Sequence, residues 1–264
     1  MTKKTWIDNT HMSRTEVVID GPVTTITLTR AEKRNALDRQ MLAELLAFFE
    51  RPPGANDRVL VLRAQGRAFC AGMDLAERAK EGPLQGVSPI ETVLHAMEHH
   101  PLPVVAVVQG DAIAGGNELA LHCDIVVAGA STRFGMSLAQ IGLAPTWNLA
   151  KKLMEVAGPV ATREILLLGD PLPASRFAEL GLISHVVPDE QLEQEAKRII
   201  TRLSNNAPLS LRAMKALLNR QMQFRDNIEH GDVDALVDIA RSSADAKEGM
   251  AARLEKRAAD FTGK

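Results

Sequence analysis

The sequence predicts an α/β domain that continues into a helical extension, and three observations predict it. Short β-branched runs alternate with helix-spaced segments up to about residue 190. Two segments, residues 67–75 and 109–120, read as strands that end in small-residue turns, and each turn opens into a helical pattern. Beyond about residue 190, glycine and strand formers thin out and helix formers take over.

In chain order, residues 16–20 and 23–29 are apolar, β-branched runs split by Gly21 and Pro22, the pattern of a hairpin. Residues 38–49 have helical spacing and stop at Arg51-Pro52-Pro53-Gly54. Residues 58–64 form a near-continuous Val/Leu run, suited to a strand buried on both faces. Residues 89–100 read as a helix ending before Pro101, and 104–108 and 125–128 as further buried strands. The alternation implies right-handed crossovers. Residues 80–88, with Gly82, Pro83 and Gly86, follow the first turn directly and read equally as a mobile lid or a plain connector. Residues 189–203, 209–224, 233–243 and 244–261 have helical spacing. The chain thus divides into a core over residues 1–200 and a helical domain over 201–264.

Composition narrows the function. With 264 residues, 45% apolar and 24% charged, the chain has ample material for a core. A formal net charge of -2 supplies no basic field for nucleic acid. Aromatics make up 3%, which argues against base-stacking platforms, and the lack of tyrosine excludes any mechanism that needs a phenol. Cys70 and Cys123 lie in apolar stretches without metal-ligand spacing, as reduced buried thiols do. Residues 1–14 are polar, and no run of eighteen apolar residues exists. A cytoplasmic protein, off the membrane, is expected.

The two small-residue corners carry the chemistry. A strand–turn–helix corner leaves backbone N–H groups unpaired at the helix start, backed by the helix dipole. Two such corners face to face would form an anion trap from backbone alone, as a thioester carbonyl requires to become an enolate. Glu118 follows Gly115 by three residues, so one helical turn separates trap from carboxylate. In an apolar wall its pKa would rise by desolvation and suit proton transfer near neutral pH.

Taken together, these residues resemble the crotonase family, the enoyl-CoA hydratase/isomerase superfamily, over roughly residues 15–261. The resemblance is carried by Arg30-Ala31-Glu32-Lys33-Arg34-Asn35-Ala36-Leu37, Ala71-Gly72-Met73-Asp74-Leu75, Gly115-Gly116-Asn117-Glu118-Leu119-Ala120, Cys123-Asp124-Ile125 with Phe134-Gly135, and Lys247-Glu248-Gly249-Met250 with Leu254-Glu255-Lys256-Arg257. It implies a spiral of ββα turns, acyl-CoA thioester chemistry with no cofactor beyond the CoA of the substrate, and homotrimers that often pair into hexamers through the helical domain. The family's oxyanion donors fall on the N–H groups of Met73 and Gly115, beside Ala71, Asp74 and Leu75. Lys33, Arg34 and Ala36 match the stretch lining the CoA nucleotide, and Lys256 matches a closing-helix lysine that reaches CoA.

The sequence also departs from the family. Ala31 replaces a usual proline, and Arg253 a frequent aromatic. Family hydratases grip one water with two glutamates; the second falls twenty residues after Glu118, where this chain has Leu138. Leucine neither accepts nor donates a proton, so ordinary hydration of a simple enoyl-CoA does not fit the pattern. Gln140 is polar but does not titrate. Thr146 is placed to hydrogen-bond substrate or water, and Trp147 to shape the acyl pocket or to serve as core. Residues 71–75 with Ile141-Gly142-Leu143-Ala144-Pro145 are reminiscent of the hydroxycinnamoyl-CoA hydratase-lyase branch, which points to a bulky acyl group.

Three outcomes stay open on one base: hydratase or lyase chemistry, double-bond isomerisation, and silent acyl-CoA binding. The hydratase-type outcome is favoured, because the retained acid is at the hydratase position. His95, His99, His100 and His122 show no ligand spacing tied to a carboxylate, and His99-His100 suits a helix C-terminus. Ser137 has no neighbouring base to make it a nucleophile.

Overall fold

The computed structural model describes residues 13–80 and 88–263. Residues 1–12 and nearly all of the 80–88 loop lie outside the described residues. In chain order the strands are β1 (Thr15–Asp20), β2 (Val23–Leu28), β3 (Val59–Ala64), β4 (Val104–Val108), β5 (Ala112–Ile113), β6 (Ile125–Gly129), β7 (Arg133–Gly135), β8 (Leu172–Pro173) and β9 (His185–Val187). The helices are α1 (Arg39–Glu50), α2 (Leu75–Arg78), α3 (Pro89–His99), α4 (Gly115–Leu121), α5 (Trp147–Arg163), α6 (Ala174–Glu179), α7 (Leu192–Asn205), α8 (Pro208–Met222), α9 (Gly231–Ser242) and α10 (Ala244–Glu255).

β1 and β2 form the expected antiparallel hairpin, turning at Gly21 with φ of 57°. From β2 onward the main sheet is parallel, in the order β1-β2-β3-β4-β6-β9. Both faces are covered, which explains the unbroken apolar runs of β3 and β4. On one face Met41, Leu45 and Phe49 of α1 pack with Val93, Leu94 and Met97 of α3 against Leu60, Leu62 and Ala106. On the other, Leu192, Ala196 and Ile199 of α7 cover Val59, Val61, Val105 and Val127. Asp38 caps α1 by accepting from Met41 N.

Residues 67–75 do not form the expected strand. Their β-bridges among the described residues are the isolated pairs Cys70↔Ala112 and Leu37↔Met73. A small sheet, β5-β7-β8, lies apart from the main one. The closing helix stops at Glu255 rather than running to 261, because Lys256 turns left-handed at φ 57°. The segment after it is pinned back on α10 by Asp245, which accepts from Thr262 N and Gly263 N, and by Glu248, which accepts from Asp260 N.

α8 is anchored by one buried cation. The Lys215 ammonium donates to Asp124 Oδ2 at 2.7 Å, Leu102 O at 3.2 Å and Met97 O at 3.4 Å. Asp124 Oδ2 also accepts from Val104 N at 2.7 Å, at the start of β4. The outer faces of α8 and α9 expose Leu209, Leu217 and Leu218, and Leu236 and Ile239. Among the described residues no helix is long and apolar enough to cross a membrane.

Candidate active site

The two corners lean on each other. At the first, Leu37 forms a parallel bridge to Met73 by donating to Gly72 O (2.8 Å) and accepting from Asp74 N (2.9 Å). Those bonds use the neighbours of Met73 and leave its own N–H free among the described residues. At the second, Ile113 N donates to Cys70 O and Ala114 N to Gly135 O, and the next N–H, that of Gly115, begins α4 with no acceptor among the described residues. Ala114 takes the strained combination φ 49°, ψ -116° to make this turn.

Glycine is required where the corners meet. A Cβ on Gly72 (φ 88°) would stand 2.9 Å from Ile113 O and 3.1 Å from Gly115 N. A Cβ on Gly116 would stand 2.1 Å from Cys70 O. Two free amides from separate segments thus sit side by side.

Both corners open into a cleft of about 1860 Å³. Met73, Ala71, Asp74, Leu75, Gly115, Glu118, Leu138 and Thr146 all line it, as do Lys33, Arg34, Ala36 and Lys256. Lys33, Arg34 and Lys256 form no ion pair among the described residues, leaving three cations unspent at the cleft. The early turn is bolted to the first corner: Asn35 donates to Gln65 O and Ala68 O, and Ala71 N donates to Arg34 O. Asp74 caps α2 and pairs with Arg30 at 2.7 Å. Burial pushes its carboxyl up, but the Arg30 guanidinium and the Glu77 and Ala76 amides more than reverse this, leaving it below the ordinary value.

Trp147 is the exception among the expected site residues. It is not in the cleft wall; its indole stacks on His230 with ring centroids 4.5 Å apart. As the first residue of α5, after the Thr146 cap, it points to the start of α9 instead.

Glu118 is fully buried, and neither carboxylate oxygen has a hydrogen-bond partner among the described residues. Burial pushes its carboxyl up to about 8; the Lys152 ammonium lowers it partway, and the Glu91 charge adds to the rise. His122 lies 3.7 Å from Glu118 Oε2, but its Nδ1 is 2.8 Å from the Glu118 backbone carbonyl. Burial drives that imidazole down to about 4, so it is neutral at pH 7 and offers the carboxylate no positive charge.

Glu91, on the first turn of α3, is a cleft carboxylate that sequence reasoning missed, as are Asp38 and Glu77. It accepts a hydrogen bond from the Thr146 hydroxyl and a longer one, 3.4 Å, from Ser88 N. Its one local signal is the spacing Ser88-x-x-Glu91, which also reads as a helix capping box. Leu138 packs on the core and presents hydrocarbon to the cleft.

The remaining candidates are structural. Ser137 Oγ donates to Gly169 O, and Gln140 donates to Leu168 O and Asp170. His100 accepts from Leu102 N, and burial lowers it to about 4, so it holds backbone rather than acting as a charged cap. Both cysteines are free, and burial pushes the Cys70 thiol up to about 12.

The family model for enoyl-CoA hydratase/isomerase matches residues 19–264. The chain is 34% identical over 250 residues to enoyl-CoA hydratase EchA19 of Mycobacterium tuberculosis, covering 91% of this chain and 93% of that one. It is likewise 34% identical over 263 residues to 1,2-epoxyphenylacetyl-CoA isomerase of Escherichia coli, covering 93% and 97%. Among solved structures it is similar to an enoyl-CoA hydratase from Mycobacterium avium subsp. paratuberculosis, with a TM-score of 0.84 and 25% identity over 96% of this chain and all of that one.

Proposed function

The chain belongs to the enoyl-CoA hydratase/isomerase family and has the crotonase fold, and on that premise we propose that it acts on an acyl-CoA thioester through an enolate, with water addition as its main outcome. The observation that carries this is the pairing of two unspent amides with a dry carboxyl in one cleft. The thioester oxygen sits between Met73 N–H and Gly115 N–H. As negative charge builds there, both amides strengthen their hold, and the dipole of α4 adds to it. Glu118, protonated at neutral pH, delivers a proton to the α-carbon, and its ionised form, which grows in as pH approaches 8, removes one.

Lys33, Arg34 and Lys256 take the CoA phosphates, with Ala36 leaving room for the nucleotide. The exposed apolar faces of α8 and α9 are those on which trimers, and pairs of trimers, would close, so residues 201–264 serve assembly as well as the site.

Isomerisation is the second outcome, favoured by the relative named for an isomerase and by the hydrocarbon at Leu138. A panel of enoyl-CoA and aryl-enoyl-CoA thioesters in D2O, followed by mass, decides between them. Gain of one water means hydration, deuterium uptake without that gain means isomerisation, and fragmentation means lyase activity. Glu118→Gln should abolish turnover while CoA-thioester binding persists. A wild-type protein that binds the panel and turns over none of it would be a silent binder and would overturn the proposal.

A further inference from the structure

We propose that Glu91 is the second proton-transfer carboxylate of this cleft, taking from water the proton that Leu138 has no means to take, and that Thr146 is the residue that positions it. The inference rests on the acyl-CoA reading above. Four observations lead to it.

First, Glu91 lines the same cleft as Glu118 and the two free amides. Second, its helix is packed against the second oxyanion corner. A Cβ built on Gly115 would meet Ile90 Cδ1 at 2.8 Å, and Ile90 is the residue before Glu91. Third, it has a remote partner. A capping glutamate needs only Ser88 N, and that contact is long at 3.4 Å. A second bond comes from the Thr146 hydroxyl, fifty-five residues along the chain. Thr146 is itself fixed as the N-cap of α5, accepting from Leu149 N. Fourth, the negative charge of Glu91 is felt at Glu118 and helps keep that carboxyl protonated.

The two carboxylates differ in a way that divides the work. Among the described residues, hydrogen-bond donors point at Glu91 and none at Glu118. Burial keeps the Glu118 carboxyl neutral, so Glu118 is the acid and Glu91 is left to take the water proton. As the water oxygen bonds to the β-carbon, Glu91 accepts the water proton. The alkene pair shifts to the α-carbon and the thioester oxygen, where the Met73 and Gly115 amides hold the charge. Glu118 then gives its proton to the α-carbon. Water has been added, Glu91 is left protonated and Glu118 anionic, and one proton passing between them through solvent resets the site.

Glu91→Gln separates this from a purely structural role, because the amide keeps the length of the side chain and the acceptor for Thr146. The probes are crotonyl-CoA and cinnamoyl-CoA for water addition, and butyryl-CoA and 3-phenylpropionyl-CoA for α-hydrogen exchange in D2O at pH 8. Exchange needs Glu118 and the amides but not a water base. E91Q should lose water addition by about 100-fold or more, with KM close to wild type and α-exchange retained or raised, since loss of the Glu91 charge favours the ionised Glu118 that exchange uses. Thr146→Val should show the same split in milder form, through kcat rather than KM. Hydration by E91Q at the wild-type rate overturns the proposal, and so does equal loss of hydration and exchange, which would mark Glu91 as a structural cap. A wild-type protein that neither hydrates nor exchanges any probe fails earlier, at the acyl-CoA assignment, and takes this inference with it.

Discussion

Glu118→Gln should make the folded protein progressively more stable relative to wild type as pH rises from 5 to 8. In the fold Glu118 titrates near 8, against 4.5 for an ordinary glutamate, because burial strips water from its charge. The sign follows from proton counting. Below pH 4.5 both folded and unfolded chains hold the proton, and the full stability is present. Between 4.5 and 8 the unfolded chain has released it while the fold retains it, so stability is lost as pH rises, and the loss ends once the folded carboxyl ionises. For one proton the accumulated loss from pH 5 to pH 8 is about 4 kcal/mol. Glutamine does not titrate, so its cost in the same dry position is independent of pH. The assay is guanidinium unfolding of both proteins at fixed protein concentration, across this pH range, reading the difference in unfolding free energy. Buried histidines such as His100 and His122 contribute to both proteins and drop out of the difference. A difference that stays flat from pH 5 to pH 8 would refute the dry, unpartnered carboxyl on which the acid role depends.

Three other outcomes follow from the packing. Gly116→Ala drives a Cβ into Cys70 O and should cost about 3 kcal/mol while opening the gap between the corners, seen as a lower melting temperature together with lost turnover. Lys215→Met removes the cation from Asp124 and the donor from Leu102 O, while Met97 O keeps its bond from His100 N; a loss of about 3 kcal/mol is expected by chemical denaturation. The Cys70 thiol, pushed up to about 12 by burial, should resist alkylation at pH 8 until the chain is unfolded, which thiol titration with and without denaturant checks.

Much of the candidate site was legible in the residues because it is made of backbone. An amide trap needs small residues at two turns and a helix after the second, and residues 67–75 and 109–120 display both. Glu118 was legible by its spacing from Gly115 on one helical turn. The parallel core could be read from the unbroken Val/Leu runs of β3 and β4. Glu91 was not legible, because its relevance comes from α3 lying against α4 and from a hydroxyl on the far side of the chain. Trp147 misled for the same reason: His230, which it stacks on, is brought to it only by the path of the extension. β9 is three half-buried residues, too short to give a periodic signal. The first corner read as a strand because Ala68, Phe69 and Cys70 are buried, yet only a single bridge joins it to β5.

One oxygen of Asp124 serves both the head of β4 and the ammonium of Lys215. Integrity of the tail is thereby registered at the middle of the main sheet. A fragment cut short before residue 215 would keep both corners and Glu118, yet strand an anion at the mouth of a central strand with its counter-charge gone. Such products should unravel and be cleared rather than persist as half-working cores, which makes this single contact a checkpoint on the completeness of the chain.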